Sequence, residues 1–252
     1  MSGDGLSLVQ ITDCHLLADP KGRLNGVDTA ISLGSVIDHI LSNGPEPDAV
    51  LATGDLSEDG TAASYNRMKA LLTRFRAPVY GMVGNHDDTD TLVATLPGDG
   101  IEVTRSLCRD GWQIVFLNTR VPGEEDGALG GDELVALDSA LAERPDLHAL
   151  VCIHHQPVVV GGTWADEVSL ANPNDLFSVL DGHRKTRGVL FGHIHMPFDG
   201  ERGSLRMMGS PSTCFQFGRD DDGNFTTTDD PAGYRRLTLA PDGAISTTVC
   251  WL

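Results

Sequence analysis

Five short clusters in this sequence consist of residues that hold metal ions: Asp13-Cys14-His15, Gly54-Asp55, Gly84-Asn85-His86-Asp87, His154-His155-Gln156-Pro157 and Gly192-His193-Ile194-His195. Carboxylate, amide and imidazole donors in such number suit hydrolysis of a phosphate ester at a pair of cations. Nearly every cluster closes an apolar, strand-like run, and that placement is what the rest of the chain must provide.

The runs are Leu6 to Ile11, Ala49 to Thr53, Val79 to Val83, Gln113 to Asn118, Leu147 to Ile153 and Gly188 to Phe191. Helical spacing separates them. Thr29 to Leu41 carries Ile31, Val36, Ile37, Ile40 and Leu41 near one stripe, and Ala62 to Phe75 carries Met68, Leu71, Leu72 and Phe75. Asp132 is placed to cap a helix running to about Glu143, and Asn172-Pro173 opens another. Strand alternating with helix predicts an α/β fold with a parallel sheet covered by helices on both faces. After His195, short alternating runs at Leu205 to Met208, Tyr234 to Leu239 and Ala244 to Trp251 predict antiparallel strands. The stretch Arg219 to Gly233 is long for a structureless connection and reads as a functional lid or a mobile loop. With no internal repeat and no linker, residues 1–252 read as one domain.

In a parallel α/β sheet, ligands gather at the carboxyl ends of the strands, where successive loops converge. Asp13, Asp55, Asn85, His155 and His193 each follow an apolar run, so five strands deliver a donor to one rim. Residues two apart in extended chain point the same way, which aims Asp13 with His15, and His193 with His195, into one site. The candidate ligands are therefore Asp13, His15, Asp55, Asn85, His155, His193 and His195. One tetrahedral zinc needs only three or four of these seven. Two metals sharing a carboxylate use all of them, and Asp55 is the natural bridge. The mixed donors suit iron, manganese, zinc or cobalt better than calcium or magnesium, without choosing among them. Each cluster alone has a plainer reading, as a turn or a helix cap; it is the five together, in order, that specify metal.

Composition sets limits on the substrate. There are 36 acidic residues against 18 basic ones, a net charge of −18, and a field of that sign repels a nucleic-acid polymer. A small anion remains acceptable where bound cations reverse the local sign. Five scattered cysteines without a Cys-x-x-Cys pair read as reduced and mostly buried. The first residues carry no signal-like pattern and no stretch has the roughly 20 apolar residues of a membrane helix, so the expectation is a cytoplasmic protein without a membrane partner.

The order Asp-x-His, Gly-Asp, Gly-Asn-His-Asp, His-x-Pro and Gly-His-x-His resembles the calcineurin-like metallophosphoesterase superfamily from about Leu6 to Met196. Two further stretches, Ile11-Thr12-Asp13-Cys14-His15-Leu16 through Gly22-Arg23-Leu24-Asn25-Gly26-Val27 and Gly209-Ser210-Pro211-Ser212-Thr213-Cys214-Phe215-Gln216-Phe217, resemble the bacterial class III cyclic-AMP phosphodiesterases. The resemblance implies a four-layer α/β/β/α sandwich of mixed sheets, with residues 197–252 completing the second sheet and a loop flanking the site. It also implies that Asp13, His15 and His195 hold one metal and Asn85, His155 and His193 the other, with Asp55 between them. The His-x-Pro spacing selects His155, leaving His154 as a packed or supporting residue. His86 matches the family's non-ligand histidine, a proton donor to the departing oxygen, with Asp87 orienting its ring or capping a helix instead.

On this reading two cations neutralise the phosphodiester and activate a water for in-line attack, opening 3′,5′-cyclic AMP to the 5′-phosphate. A broader phosphodiesterase or phosphomonoesterase is the alternative among enzymes, and a non-catalytic scaffold of the same fold the alternative outside them. Specificity falls to the loops Asn25 to Asp28, Gly161 to Asn172 and Ser212 to Gly233, where Trp164 either stacks on a base or packs inside. Relatives of this kind are often dimeric, so a homodimer is an expectation.

Overall fold

The computed structural model describes residues 5–161, 164–219 and 225–252. The first half holds β1 (Leu6–Ile11), α1 (Thr29–Ser42), β2 (Ala49–Thr53), α2 (Ala62–Leu72), β3 (Val79–Met82), α3 (Thr89–Thr95), the two-residue β4 (Ile101–Glu102), β5 (Ser106–Arg109) and β6 (Trp112–Phe116). There follow α4 (Gly131–Glu143), β7 (His148–Cys152), the single turn α5 (Trp164–Glu167), α6 (Pro173–Asp181), β8 (Thr186–Phe191), β9 (Phe198–Arg202) and β10 (Leu205–Gly209). The chain closes with β11 (Gln216–Arg219), β12 (Phe225–Thr228), β13 (Gly233–Leu239) and β14 (Ile245–Trp251).

These strands form two mixed six-stranded sheets, in the orders β14-β13-β1-β2-β3-β4 and β5-β6-β7-β8-β10-β9. Alternation along each strand explains why they stack. Leu6, Leu8, Ala49 and Leu51 of the first sheet meet Trp112, Ile114, Leu150 and Leu190 of the second in a shared core. The intervening residues Val9, Ile11, Val50 and Ala52 instead face α1 and α2, where Leu33, Ile37, Ile40, Tyr65 and Met68 cover them. On the far side Val115, Val151 and Val189 pack under Leu137 and Leu141 of α4 and Leu176 and Leu180 of α6. The result is the α/β/β/α sandwich that the resemblance implied. It corrects the expectation drawn from alternation alone, one sheet with helices on both faces. A strand buried on both sides reads as the same continuous apolar run whether its second face meets a helix or another sheet.

Three local differences have physical causes. Asp132 does not cap α4: Gly130 occupies the N-cap with no side-chain bond, and Asp132 and Glu133 sit in the first turn, where the helix dipole favours negative charge. The segment after residue 197 is divided between the sheets, β9 and β10 joining the second while β13 and β14 extend the first through antiparallel pairing of β13 with β1. Within the stretch read as a lid or mobile loop, β12 pairs with β11 in a separate two-stranded ribbon, while residues 220–224 lie outside the described ones. All five cysteines are unpaired; Cys14, Cys152 and Cys214 are buried and Cys108 is exposed. Among the described residues no helix is long and apolar enough to cross a membrane.

Candidate metal centre

The rim is assembled by loops that stay hydrogen-bonded beyond the strand ends. β1 and β2 run parallel, and their pairing continues as Asp13 N to Gly54 O (3.1 Å), His15 N to Asp55 O (2.9 Å) and Leu16 N to Leu56 O (3.1 Å). The second sheet is joined to this pair by His193 N, which donates to the Asp13 carboxylate at 3.0 and 3.1 Å. Asp13, His15, Asp55, His193 and His195 all have φ between 47° and 69°. Left-handed backbone at non-glycine residues costs roughly 1–3 kcal/mol each and persists where surrounding structure enforces it. Tight turns, not extended alternation, therefore aim these side chains, and His193 and His195 end in different clusters.

One cluster is Asp13, His15 and His195. The Nδ1–H of His15 donates to Glu58 Oε2 (2.8 Å) and that of His195 to the Phe215 carbonyl (2.8 Å). Both Nε2 atoms are thereby turned to the centre, 3.1 Å from each other, with Asp13 Oδ1 3.5 Å from His195 Nε2. Holding an imidazole through its distal N–H is how proteins orient metal-binding histidines.

The other cluster is Asp55, His154 and His193, with Asn85 between them. Here the sequence expectation is corrected: the structure brings His154, not His155, to the rim. His154 Nδ1–H donates to the Thr53 carbonyl (3.0 Å), and its Nε2 lies 3.1 Å from Asn85 Oδ1 and 3.2 Å from Asp55 Oδ2. Asn85 Oδ1 is also 3.1 Å from His193 Nδ1. His155 turns the opposite way. Its Nδ1 meets Thr119 Oγ1 at 2.7 Å and its Nε2 the Glu125 carbonyl at 3.1 Å, so both ring nitrogens are already engaged. Asp55 lies between the clusters, with Oδ2 3.7 Å from His15 Nε2 and 3.2 Å from His154 Nε2.

His86 stands at the mouth, its side chain 38% exposed, with Nδ1 3.2 Å from Glu58 Oε2 and its backbone N–H on Asp55 Oδ1 at 2.9 Å. Burial disfavours its cation, but the hydrogen bond to Glu58 and the charge of Asp55 outweigh that and raise its pKa to about 9. Asp87 does not orient it. The Asp87 carboxylate is buried and filled by Leu56 N (3.1 Å), Ser57 N (3.0 Å), Gly84 N (2.8 Å) and Tyr65 OH (3.0 Å), which staples the loops after β2 and β3 together. Burial and the charge of Asp55 push its pKa up to about 6. The helix-capping reading fails too, because Asp88 caps α3. Glu58 takes the orienting role and was missed by sequence reasoning; its only signal is an acid three residues beyond Asp55.

The residues present fit a pair of cations. Nitrogens each about 2.1 Å from one ion and at a right angle lie about 3 Å apart, as the two Nε2 atoms of His15 and His195 do. Left without a positive charge between them, two such lone pairs repel. His193 Nε2 is buried with no hydrogen-bond partner, and burial holds that ring's pKa well down, in its neutral ligand form. Burial would raise Asp55, yet the charge and hydrogen bond of His154 hold its pKa well below the usual carboxylate range. Gly84 is part of the fit, since a Cβ there would overlap Asp55 Oδ1 and Asp55 N. Gly84→Ala is expected to weaken metal binding about 10–100-fold, the size of effect seen when a ligand's support is lost, measured by calorimetric titration of the chelated protein.

A cavity of about 200 Å³ opens over both clusters, walled by Leu24, Glu125, Trp164, Phe215 and Phe217. The Phe217 ring stacks on His195 at 4.3 Å and the Trp164 ring lies 5.7 Å from His193. Trp164 is therefore a cavity wall, half-buried.

The fold agrees with comparisons to known proteins. The chain is 38% identical over 242 residues to the 3′,5′-cyclic adenosine monophosphate phosphodiesterase CpdA of Pseudomonas aeruginosa, covering 96% of this chain and 88% of that protein. It is 36% identical over 244 residues to the 3′,5′-cyclic-nucleotide phosphodiesterase alr5338 of Nostoc sp., covering 97% and 91%. Among solved structures, a dimetal phosphatase from Danio rerio superposes with a TM-score of 0.66 at 13% identity, covering 98% of this chain and 99% of that one, a likeness of fold alone. The calcineurin-like phosphoesterase model matches residues 6–197, the span that carries every donor described above, and the chain belongs to that family.

Proposed function

We propose that this protein is a hydrolase of 3′,5′-cyclic nucleotides, cyclic AMP first among them, working with two metal ions held by Asp13, His15 and His195 on one side, Asn85, His154 and His193 on the other, and Asp55 between. The observation that carries the reading is two donor clusters, Asp13 with His15 and His195 and Asp55 with His154 and His193, joined by the 3.7 Å approach of Asp55 to His15 beneath a small, aromatic-walled cavity. Both curated relatives above bear names of cyclic-nucleotide phosphodiesterases. The donor set leaves iron, manganese, zinc and cobalt all eligible.

When bound, the two cations supply charge neutralisation for the phosphodiester and activation of the attacking water. The chain does the rest. Asp13 and Asp55 hold fixed negative charge beneath the phosphate, so the site favours a substrate anion only when loaded. The water's oxygen adds to phosphorus and gives up a proton to solvent, the bond from phosphorus to the 3′-oxygen breaks, and that oxygen takes a proton from His86. The product is the nucleoside 5′-phosphate. Trp164 and Phe217 offer flat apolar faces for the base beyond the phosphate. A cytoplasmic location and a homodimer are part of the same proposal.

The experiment is a side-by-side assay with cyclic AMP, cyclic GMP and glycerophosphocholine, before and after chelation. We expect metal-dependent release of the 5′-phosphate from cyclic AMP. Preference for glycerophosphocholine would move the reading to a broader phosphodiesterase, and no turnover with any metal would leave a scaffold.

A further inference from the structure

We infer that the chain has a second, anion-binding site at the end of the second sheet opposite the metal rim, a cavity bounded by Arg144, Arg184, Lys185 and Thr186 that takes a phosphate group, free or carried on a nucleotide. The cavity holds about 260 Å³, against about 200 Å³ over the metal clusters, so it has room for an anion of the same size. It lies where β6, β7 and β8 begin, under the ends of α4 and α6. The length of β8 separates Thr186 at this cavity from His193 at the rim by roughly 20 Å. Among the described residues that line it none is acidic, in a chain with 36 acids and 18 bases.

Elsewhere on the surface arginines find carboxylates, as Arg74 does Asp38, Arg105 does Glu133 and Arg202 does Asp181. Arg144, Arg184 and Lys185 are exposed and make no ion pair or side-chain hydrogen bond among the described residues. A helix C-terminus carries partial negative charge that attracts such cations. Here, however, α6 is already closed by Gly182 N and His183 N on the Val179 and Leu180 carbonyls, both at 3.0 Å, and His183 Nε2–H donates to Asp138 Oδ1 at 2.8 Å. A neighbour feels the positive field: burial lowers the pKa of His148, and the charges of Lys185 and Arg187 lower it further. The floor of the cavity supplies an independent sign. Thr186 is 2% exposed, and among the described residues its Oγ1 has no hydrogen-bond partner. A buried hydroxyl without a partner destabilises the fold, and an oxyanion accepting from it removes that penalty. The Gln113 amide beside it already donates to the Ala140 carbonyl at 3.0 Å, so two guanidinium groups, one ammonium and one hydroxyl are the donors on offer. That donor set matches the oxygens of a phosphate.

The test follows backbone amide shifts by NMR in the full chain loaded with diamagnetic zinc, titrated separately with inorganic phosphate, adenosine 5′-phosphate and adenosine. Amides of Gly182 to Arg187 report on this site and those of the rim on the metal centre, so the two are read apart. We expect saturable shifts at Gly182 to Arg187 with both phosphates and none with adenosine. Equal affinity for the two identifies the phosphate group alone as the ligand, tighter binding of adenosine 5′-phosphate identifies a nucleotide, and each supports the site. Arg144→Ala combined with Arg184→Ala should weaken binding at least about 10-fold, because charge-assisted hydrogen bonds are lost. Thr186→Val should weaken it about 2–10-fold with an equal or higher melting temperature, since the hydroxyl it removes has no partner in the fold. Shifts confined to the rim, non-saturating shifts at Gly182 to Arg187, or unchanged affinity in either variant would overturn the inference. So would adenosine binding as tightly as its 5′-phosphate. Should the double variant fail to fold, the affinity of Thr186→Val decides.

Discussion

Asp55→Ala is expected to lower turnover of cyclic AMP by at least about 10³-fold, because cation stabilisation of the transition state is worth several kcal/mol and this carboxylate stands between both donor clusters. Asp55 Oδ2 lies 3.7 Å from His15 Nε2 and 3.2 Å from His154 Nε2, closer to the second cluster than Asp13, whose Oδ1 is 3.9 Å from His154 Nε2. The same variant removes Oδ1, which receives His86 N–H at 2.9 Å, and so loosens the loop after β3. Asp55→Asn separates these effects. Its amide oxygen can keep the His86 contact, while the charge that both clusters share is gone. Elemental analysis of each purified variant, with a thermal melt to verify folding, is the measurement. We expect Asp55→Asn to fold and to retain less than two metals per chain; two full equivalents would refute the bridging role.

The second large effect concerns neighbours. His154→Ala should lose about 10²-fold or more in metal affinity and turnover, since its Nε2 is placed with Asn85 and Asp55 and no other donor can replace it. His155→Ala should instead act on stability. The ring is fully buried and bonded to Thr119 and the Glu125 carbonyl, so its removal leaves polar groups unpaired at about 1–3 kcal/mol and opens a cavity. Its metal stoichiometry should match the wild type. Calorimetric titration and denaturant unfolding on the two variants give opposite patterns, and the reverse assignment would restore His155 as the ligand. His155 also has a snug seat of its own, for a Cβ on Gly127 would overlap its ring.

Much of this site was legible without coordinates, for a definite reason. Donor type is a property of the residue, and a strand that must be buried on both faces announces itself by an unbroken apolar run. Asp13, Asp55, Asn85 and His193 follow β1, β2, β3 and β8 within a few residues, which is enough to collect them on one rim. Helix α1 was recovered almost to the residue, because Asp28 accepts from Ile31 N at 3.1 Å where the apolar stripe begins. By contrast α3, seven residues long with only Leu92 buried, has too little periodicity to be seen.

What the chain alone determined, then, is the inventory and order of donors, and that they gather where strands end. Which of two adjacent histidines turns inward was decided by tertiary structure. β7 ends at Cys152, and beyond it the alternation of a strand no longer dictates direction, so partners do: Thr53 and Asn85 take His154, Thr119 and Glu125 take His155. The exchange of roles between Asp87 and Glu58 has the same origin. Asp87 sits beside His86 in sequence, yet the backbone N–H groups of Leu56, Ser57 and Gly84 occupy its oxygens, while Glu58 arrives from a different loop. Spacing along a chain encodes the local pattern of side chains; a hydrogen bond between loops depends on how two separate strands are stacked, and that is fixed only when the sheets pack.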